Sequence, residues 1–150
     1  MIEHRNGEPV DILLVEDNPG DVRLTEEAFH DAAINNDLHV VRDGQAALDF
    51  LFQVRDYEDA PRPDLVLLDL NLPKVDGMEV LEDVKQDPDL CRIPVIILTG
   101  SEAEEDIVES YENHSNAYLT KPIDPDEFVT LVQSFEQFWL TLVELPPNPE

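Results

Sequence analysis

Cationic residues are scarce in this chain of 150 residues: 9 Lys+Arg stand against 35 Asp+Glu, for a formal charge of -26. So negative a surface would be repelled by phosphate backbones and anionic lipid headgroups, which argues against nucleic acid or a membrane surface as partner. Cysteine is nearly absent too. Cys91 is alone, so no intramolecular disulfide can form, and its neighbours Leu90 and Arg92 offer no metal-ligand pattern; it reads as an inert, partly buried thiol. No apolar run approaches the length of a membrane span, and the N-terminus has no charged segment leading into an apolar one, so a cytoplasmic location is expected.

The chain does contain enough apolar residues, 42%, for one domain with a real core and too few positions for two. The acids are spread over every segment. Most of the charge therefore reads as a solvated surface, and a salt-rich cytoplasm, that of a halophile, would account for it; an acidic mesophilic protein is the simpler rival.

Four short apolar runs end on polar residues able to handle a phosphoryl group. Ile12 to Val15 leads into Glu16-Asp17, Leu65 to Leu68 into Asp69, Val95 to Leu98 into Thr99, and Ala117 to Leu119 through Thr120 into Lys121-Pro122. Such runs read as strands buried on both faces, and in an open α/β sheet ligands bind outside the carboxyl ends of the strands. The acids, the hydroxyl and the amine should converge.

Between these runs the period is helical. Asn18-Pro19-Gly20-Asp21 carries capping chemistry, and Leu24, Ala28 and Ala32 with Phe29 form the expected apolar stripe of a first helix. Leu38 to Val41 reads as a second strand. After the Asp43-Gly44 turn, Ala46, Ala47, Leu48, Leu51 and Phe52 predict a second helix, and residues 53–64 a polar, proline-rich surface loop. Asp76-Gly77 opens a third helix with Met78, Val80, Leu81 and Val84 apolar, closed by Pro88. Ser101-Glu102-Ala103-Glu104 resembles a capping box for an acidic helix running to about Asn113, anchored by Ile107, Val108 and Tyr111. Asp124-Pro125 caps a last helix with Phe128, Leu131, Val132, Phe135, Phe138, Trp139 and Leu142 on one face, stopped by Pro146-Pro147. The alternation implies an α/β fold: a five-stranded parallel sheet, doubly wound with helices on both faces, in strand order 2-1-3-4-5. That order places Glu16, Asp17 and Asp69 at one crevice.

These residues together resemble the two-component response regulator receiver domain, whose fold is flavodoxin-like (βα)5. The resemblance runs from about Asp11 to Leu145, giving an N-terminal extension over 1–10, a receiver domain over 11–145 and a tail over 146–150. The 53–64 loop and the segment from Phe138 to Pro146 resemble the stand-alone receivers that partner phytochrome-like and related sensor kinases. Family members usually carry Ala or Ser after the switch hydroxyl, where this chain has Gly100.

The chemistry follows from the residue types. Three carboxylates in one crevice repel one another unless a cation joins them or one is protonated, and oxygen-only ligation with several waters suits Mg2+. Asp17 and Asp69 would ligate directly and Glu16 through water; the carbonyl of Asn71 is implied by the resemblance. Asp69 would be the nucleophile that forms an acyl phosphate, Lys121 would neutralise the phosphoryl oxygens, and Thr99 would donate to one of them. In receivers an aromatic three residues before the lysine repacks with that hydroxyl, and here Tyr118 holds the position. Each role has a rival: a solvated loop for Glu16 and Asp17, a helix cap for Asp69 or Thr99, a surface ion pair for Lys121, a static core aromatic for Tyr118.

The resemblance implies a signalling protein, not a classical enzyme, phosphorylated by a sensor histidine kinase or a phosphotransfer protein and acting on a downstream protein target. None of His4, His30, His39 and His114 has ligand spacing or a strand-end position, so the donor lies elsewhere. No DNA-binding or enzymatic output segment is visible, so a messenger or relay is expected, and the last helix could support a homodimer through Phe138 and Trp139. Two alternatives remain at this point. One is a receiver-like module that binds without phosphorylation. The other is a haloacid-dehalogenase-like phosphatase, which expects a second carboxylate where this chain has Asn71.

Overall fold

The computed structural model describes residues 10–31, 36–70, 72, 75–100 and 117–133. The expected acidic helix over 101–113, Asn71, Ala32 and the last-helix anchors beyond residue 133 lie outside them, as do the side chains of Leu131 and Val132.

Five strands, β1 (Val10–Val15), β2 (Asn36–Val41), β3 (Leu65–Asp69), β4 (Val95–Thr99) and β5 (Ala117–Thr120), form one sheet in the order β2-β1-β3-β4-β5. All pairings are parallel. The described helices are α1 (Pro19–Asp31), α2 (Gly44–Phe52), α3 (Gly77–Gln86) and α4 (Pro125–Gln133), with single 3-10 turns at Arg55–Tyr57 and Leu90–Arg92. No helix among the described residues is long and apolar enough to cross a membrane.

The strands alternate their apolar side chains between two cores, as the two-residue period of a strand requires. Ile12, Leu14, Leu65, Leu67, Ile96 and Leu98 meet Val22, Ala28 and Phe29 of α1 and Phe128 of α4 on one face. Leu13, Val15, Val66, Leu68 and Ile97 meet Ala47, Phe50 and Leu51 of α2 and Val80, Leu81 and Val84 of α3 on the other. Phe29 and Phe128 tie α1 to α4 with ring centroids 4.6 Å apart. Both faces of the central strands are dry, so β3 and β4 have no exposed residue and their only polar positions fall at the carboxyl ends, Asp69 and Thr99.

Four expectations need correction. The buried side of α1 is Val22, Thr25, Ala28 and Phe29, while Leu24 is 48% exposed. In α2 the core residue is Phe50 and not Phe52, which is 39% exposed, because the buried face runs through Ala47, Phe50 and Leu51. Each stripe is rotated from the one the longest apolar side chains suggest. The 53–64 loop contains a 3-10 turn whose Tyr57 packs on Phe50 at 5.4 Å. Cys91 is exposed, with its thiol 3.5 Å from the Pro88 carbonyl, since the turn at Leu90–Arg92 buries Leu90 instead.

Asp76 and Asp124 cap their helices as the sequence reads them, and Asp43, read there only as a turn, caps α2 as well. Asp43 Oδ1 accepts from Ala46 N at 2.7 Å, Asp76 Oδ1 from Met78 N at 2.8 Å and Glu79 N at 3.2 Å, and Asp124 Oδ2 from Glu127 N at 3.0 Å.

Candidate functional site

Parallel strands end at one edge, and the polar residues that follow them meet there. Asp69 closes β3 and Thr99 closes β4; Glu16 and Asp17 follow β1, and Lys121 follows β5. Backbone bonds continue the sheet past these ends: Glu16 N donates to Val41 O at 3.0 Å, Leu70 N to Leu98 O at 3.3 Å and Lys121 N to Thr99 O at 2.8 Å. Sheet pairing therefore extends into the rim residues themselves. The peptide bond between Lys121 and Pro122 is cis.

Glu16, Asp17 and Asp69 each place a carboxylate oxygen within 4.8 Å of the others. Glu16 and Asp69 are buried, whereas Asp17 opens to solvent. Lys121 Nζ enters this group and donates to Glu16 Oε1 at 3.1 Å and Asp69 Oδ2 at 3.1 Å. A third acceptor is Asp21 Oδ2 at 3.0 Å, from the first turn of α1. Sequence reasoning gave Asp21 a capping role only, and the one signal that could have exposed it was an acid one helical turn past Asn18, beside a strand end already rich in acids.

Local structure fixes these positions. Asn18 Oδ1 accepts from Gly20 N at 2.8 Å and from Asp21 N at 3.1 Å, while Asn18 N donates to Glu16 Oε2 at 3.2 Å. The β1–α1 turn thus binds the Glu16 carboxylate and the Asp21 backbone through one asparagine. Behind Asp69, Gly77 lets α3 approach so closely that a Cβ there would lie 2.5 Å from the Asp69 carbonyl oxygen.

The electrostatics are those of a crowded anionic crevice. Burial pushes the Glu16 carboxyl up to about 7, reinforced by its hydrogen bond to Asp69 and the Asp69 charge, and opposed by Lys121. For Lys121 burial opposes the charged form, but bonds to Asp21, Asp69 and Glu16 outweigh it and raise the ammonium above its ordinary range. Hard carboxylate oxygens with one open side suit a small divalent cation that keeps part of its water shell, so the residues present fit Mg2+ or Mn2+.

Thr99 is fully buried, and its hydroxyl lies 3.4 Å from the Leu119 carbonyl. Tyr118 is half-buried and packs against the sheet face that carries α2 and α3. All five expected side chains at the site, Glu16, Asp17, Asp69, Thr99 and Lys121, lie at the carboxyl rim. Asn71 lies outside the described residues.

Residues 12–133 match the response regulator receiver domain. This chain belongs to that family. Receivers are signalling proteins and not classical enzymes; they interact with histidine kinases or phosphotransfer proteins and with downstream targets. Response regulator Rcp1 of Synechocystis is 52% identical over 138 residues, 92% of this chain and 94% of its own. The Mn2+-bound structure of Rcp1 has a TM-score of 0.71 at 50% identity, covering 95% of this chain and 100% of that one. The bacteriophytochrome response regulator AtBRR has a TM-score of 0.82 at 46% identity, covering 88% of this receiver and 96% of its own chain. Phosphorylated RcpA, a cyanobacterial phytochrome response regulator, has a TM-score of 0.72 at 46% identity, covering 90% and 96%. The receiver is thus close to phytochrome-associated response regulators.

Proposed function

We propose that this receiver accepts a phosphoryl group on Asp69 and signals through the change that follows. The observation that carries the reading is Lys121 Nζ, donating at 3.1 Å to Asp69 Oδ2 within the carboxylate group of Glu16 and Asp17. A carboxylate oxygen of Asp69 attacks the phosphorus of a phosphohistidine on a sensor kinase or phosphotransfer protein. The phosphorus–nitrogen bond breaks, the imidazole, protonated on its other ring nitrogen, leaves as neutral histidine, and an acyl phosphate remains. Lys121 orients its ammonium towards the charge gathering on the phosphoryl oxygens, and buried Glu16 holds the lysine in place. Mg2+, held by Glu16, Asp17, Asp69 and the Asn71 carbonyl, supplies charge neutralisation when bound.

Thr99 exchanges its long bond to the Leu119 carbonyl for a phosphoryl oxygen, and Tyr118, next to Leu119 on β5, repacks. The added charge of about -1.5 to -2 needs only a few kcal/mol of differential contact to bias such a surface. We assign 11–145 to the receiver, between an extension over 1–10 and a tail over 146–150. It works in the cytoplasm, possesses its high negative charge as an adaptation to salt, and takes its phosphoryl group from a phytochrome-like kinase, by analogy with the bacteriophytochrome response regulators. It acts on another protein or as a relay, and can pair through the last helix.

Intact mass after incubation with phosphoramidate in high salt, with and without Mg2+, tests this reading against an Asp69→Asn control. One added phosphoryl group that needs both Mg2+ and Asp69 supports it. No adduct on folded, metal-replete protein after rapid quenching favours a module that binds without phosphorylation.

A further inference from the structure

We propose that Asp21 is a positioning residue for Lys121, a second non-reacting anchor that keeps the ammonium aimed at Asp69; the inference rests on the phosphoryl-accepting role of Asp69. An ammonium has three protons, and Lys121 Nζ has three carboxylate acceptors: Glu16 Oε1 at 3.1 Å, Asp69 Oδ2 at 3.1 Å and Asp21 Oδ2 at 3.0 Å. Only Asp69 changes chemically. When it carries a phosphoryl group, the lysine N–H that donates to Asp69 donates instead to a phosphoryl oxygen, while the hydrogen bonds to Glu16 and Asp21 stay in place.

Two anchors matter because a lysine side chain is long and flexible. One hydrogen bond leaves the ammonium free to swing about it, and two restrict it to the arc that faces the reacting carboxylate. Asp21 is itself well held. Its backbone N–H is bound by Asn18 Oδ1, and Asn18 in turn donates its own N–H to Glu16 Oε2. Both anchors thus hang from one capping asparagine, and the turn from Glu16 to Asp21 closes around the lysine as a unit. Asp21 does not join the carboxylate cluster of Glu16, Asp17 and Asp69 among the described residues, so it serves the lysine and not the cation. Its side chain is 33% exposed, against 1% for Glu16, so solvent screens its charge and limits the size of its effect.

The test is the rate of phosphorylation by phosphoramidate at saturating Mg2+, read by intact mass, for wild type, Asp21→Ala, Asp21→Asn and each change in a Lys121→Met background. Asp21→Ala should slow the reaction about threefold to tenfold. Asp21→Asn, which retains an oxygen acceptor, should recover part of that loss. In the Lys121→Met background Asp21→Ala should add no further penalty, since the effect passes through the lysine. Urea midpoints of the variants separate this from a loss of fold. A rate equal to wild type in folded Asp21→Ala would overturn the proposal, as would a faster rate, which would mean that Asp21 competes for the lysine. An equal penalty with and without Lys121 would overturn it as well. If wild type itself takes no phosphoryl group, it is the role of Asp69 that fails.

Discussion

Lys121 Nζ lies 3.1 Å from Asp69 Oδ2, although the two residues are 52 positions apart in the chain. The contact exists because β3, β4 and β5 lie side by side and all run the same way, so residues that end β3 and follow β5 face each other across the end of β4. A cation here offsets the mutual repulsion of Glu16 and Asp69 and stands beside the carboxylate that would bond to phosphorus.

Replacing Lys121 by Met should both weaken the fold and slow the chemistry. The buried carboxylates lose their counter-ion, which costs about 2–3 kcal/mol at pH 8 in metal-free protein. The cost should shrink at pH 6, where Glu16 can hold a proton. Urea unfolding at the two pH values measures the first effect, and phosphoramidate labelling should be at least about tenfold slower.

Metal-free protein should lose stability as pH rises across the Glu16 titration. The folded value of about 7 lies above the ordinary 4.5, so the folded state binds the proton more tightly than the unfolded chain does. This contribution is full below about 4.5 and is lost as pH climbs through about 7, on the order of 3 kcal/mol. Glu16→Gln should flatten that part of the stability–pH curve in denaturant titrations; an unchanged slope would contradict the assignment to Glu16.

Gly77→Ala should be damaging out of proportion to one methyl group. The new Cβ meets the Asp69 carbonyl oxygen at 2.5 Å and the Leu70 carbonyl oxygen at 2.9 Å, both backbone atoms that move only with the strand end. A loss of about 1–3 kcal/mol is expected, with slower phosphorylation as Asp69 shifts. Gly20→Ala is the control. Its Cβ would meet only the Asn18 side-chain oxygen, at 3.2 Å, and stability should change by less than about 1 kcal/mol.

Thr99→Val should separate phosphorylation from response. The variant keeps Asp69 and Lys121 and loses only a hydroxyl that would act once the phosphoryl group is attached, so labelling with phosphoramidate should stay within about threefold of wild type. The hydroxyl that would turn from Leu119 to the phosphoryl group is gone. Phosphorylation should then leave hydrogen-exchange protection of β5 unchanged, whereas in wild type it should alter it.

Much of this molecule is written locally. Val66, Leu67 and Leu68 have no polar neighbour until Asp69 because β3 is covered on both faces, and an unbroken apolar run with a terminal acid is the direct imprint of that burial. Asp76 and Asp124 are legible as caps since a cap bonds N–H groups only two or three residues away, and Asp43, read only as a turn, caps α2 by the same geometry. The phases of α1 and α2 were less legible. Leu24 and Phe52 face outward and Thr25 and Phe50 inward because a helix is rotated by what it packs against, and the packing surfaces come from strands elsewhere in the chain. The sequence by itself determined the strands, the caps and the set of strand-end residues Glu16, Asp17, Asp69, Thr99 and Lys121, because burial and capping act over a few residues. Only the tertiary structure decided that Asp21 shares Lys121 with Glu16 and Asp69, and that Gly77 backs the Asp69 carbonyl. Those contacts depend on where the first turns of α1 and α3 land against the rim of a finished sheet.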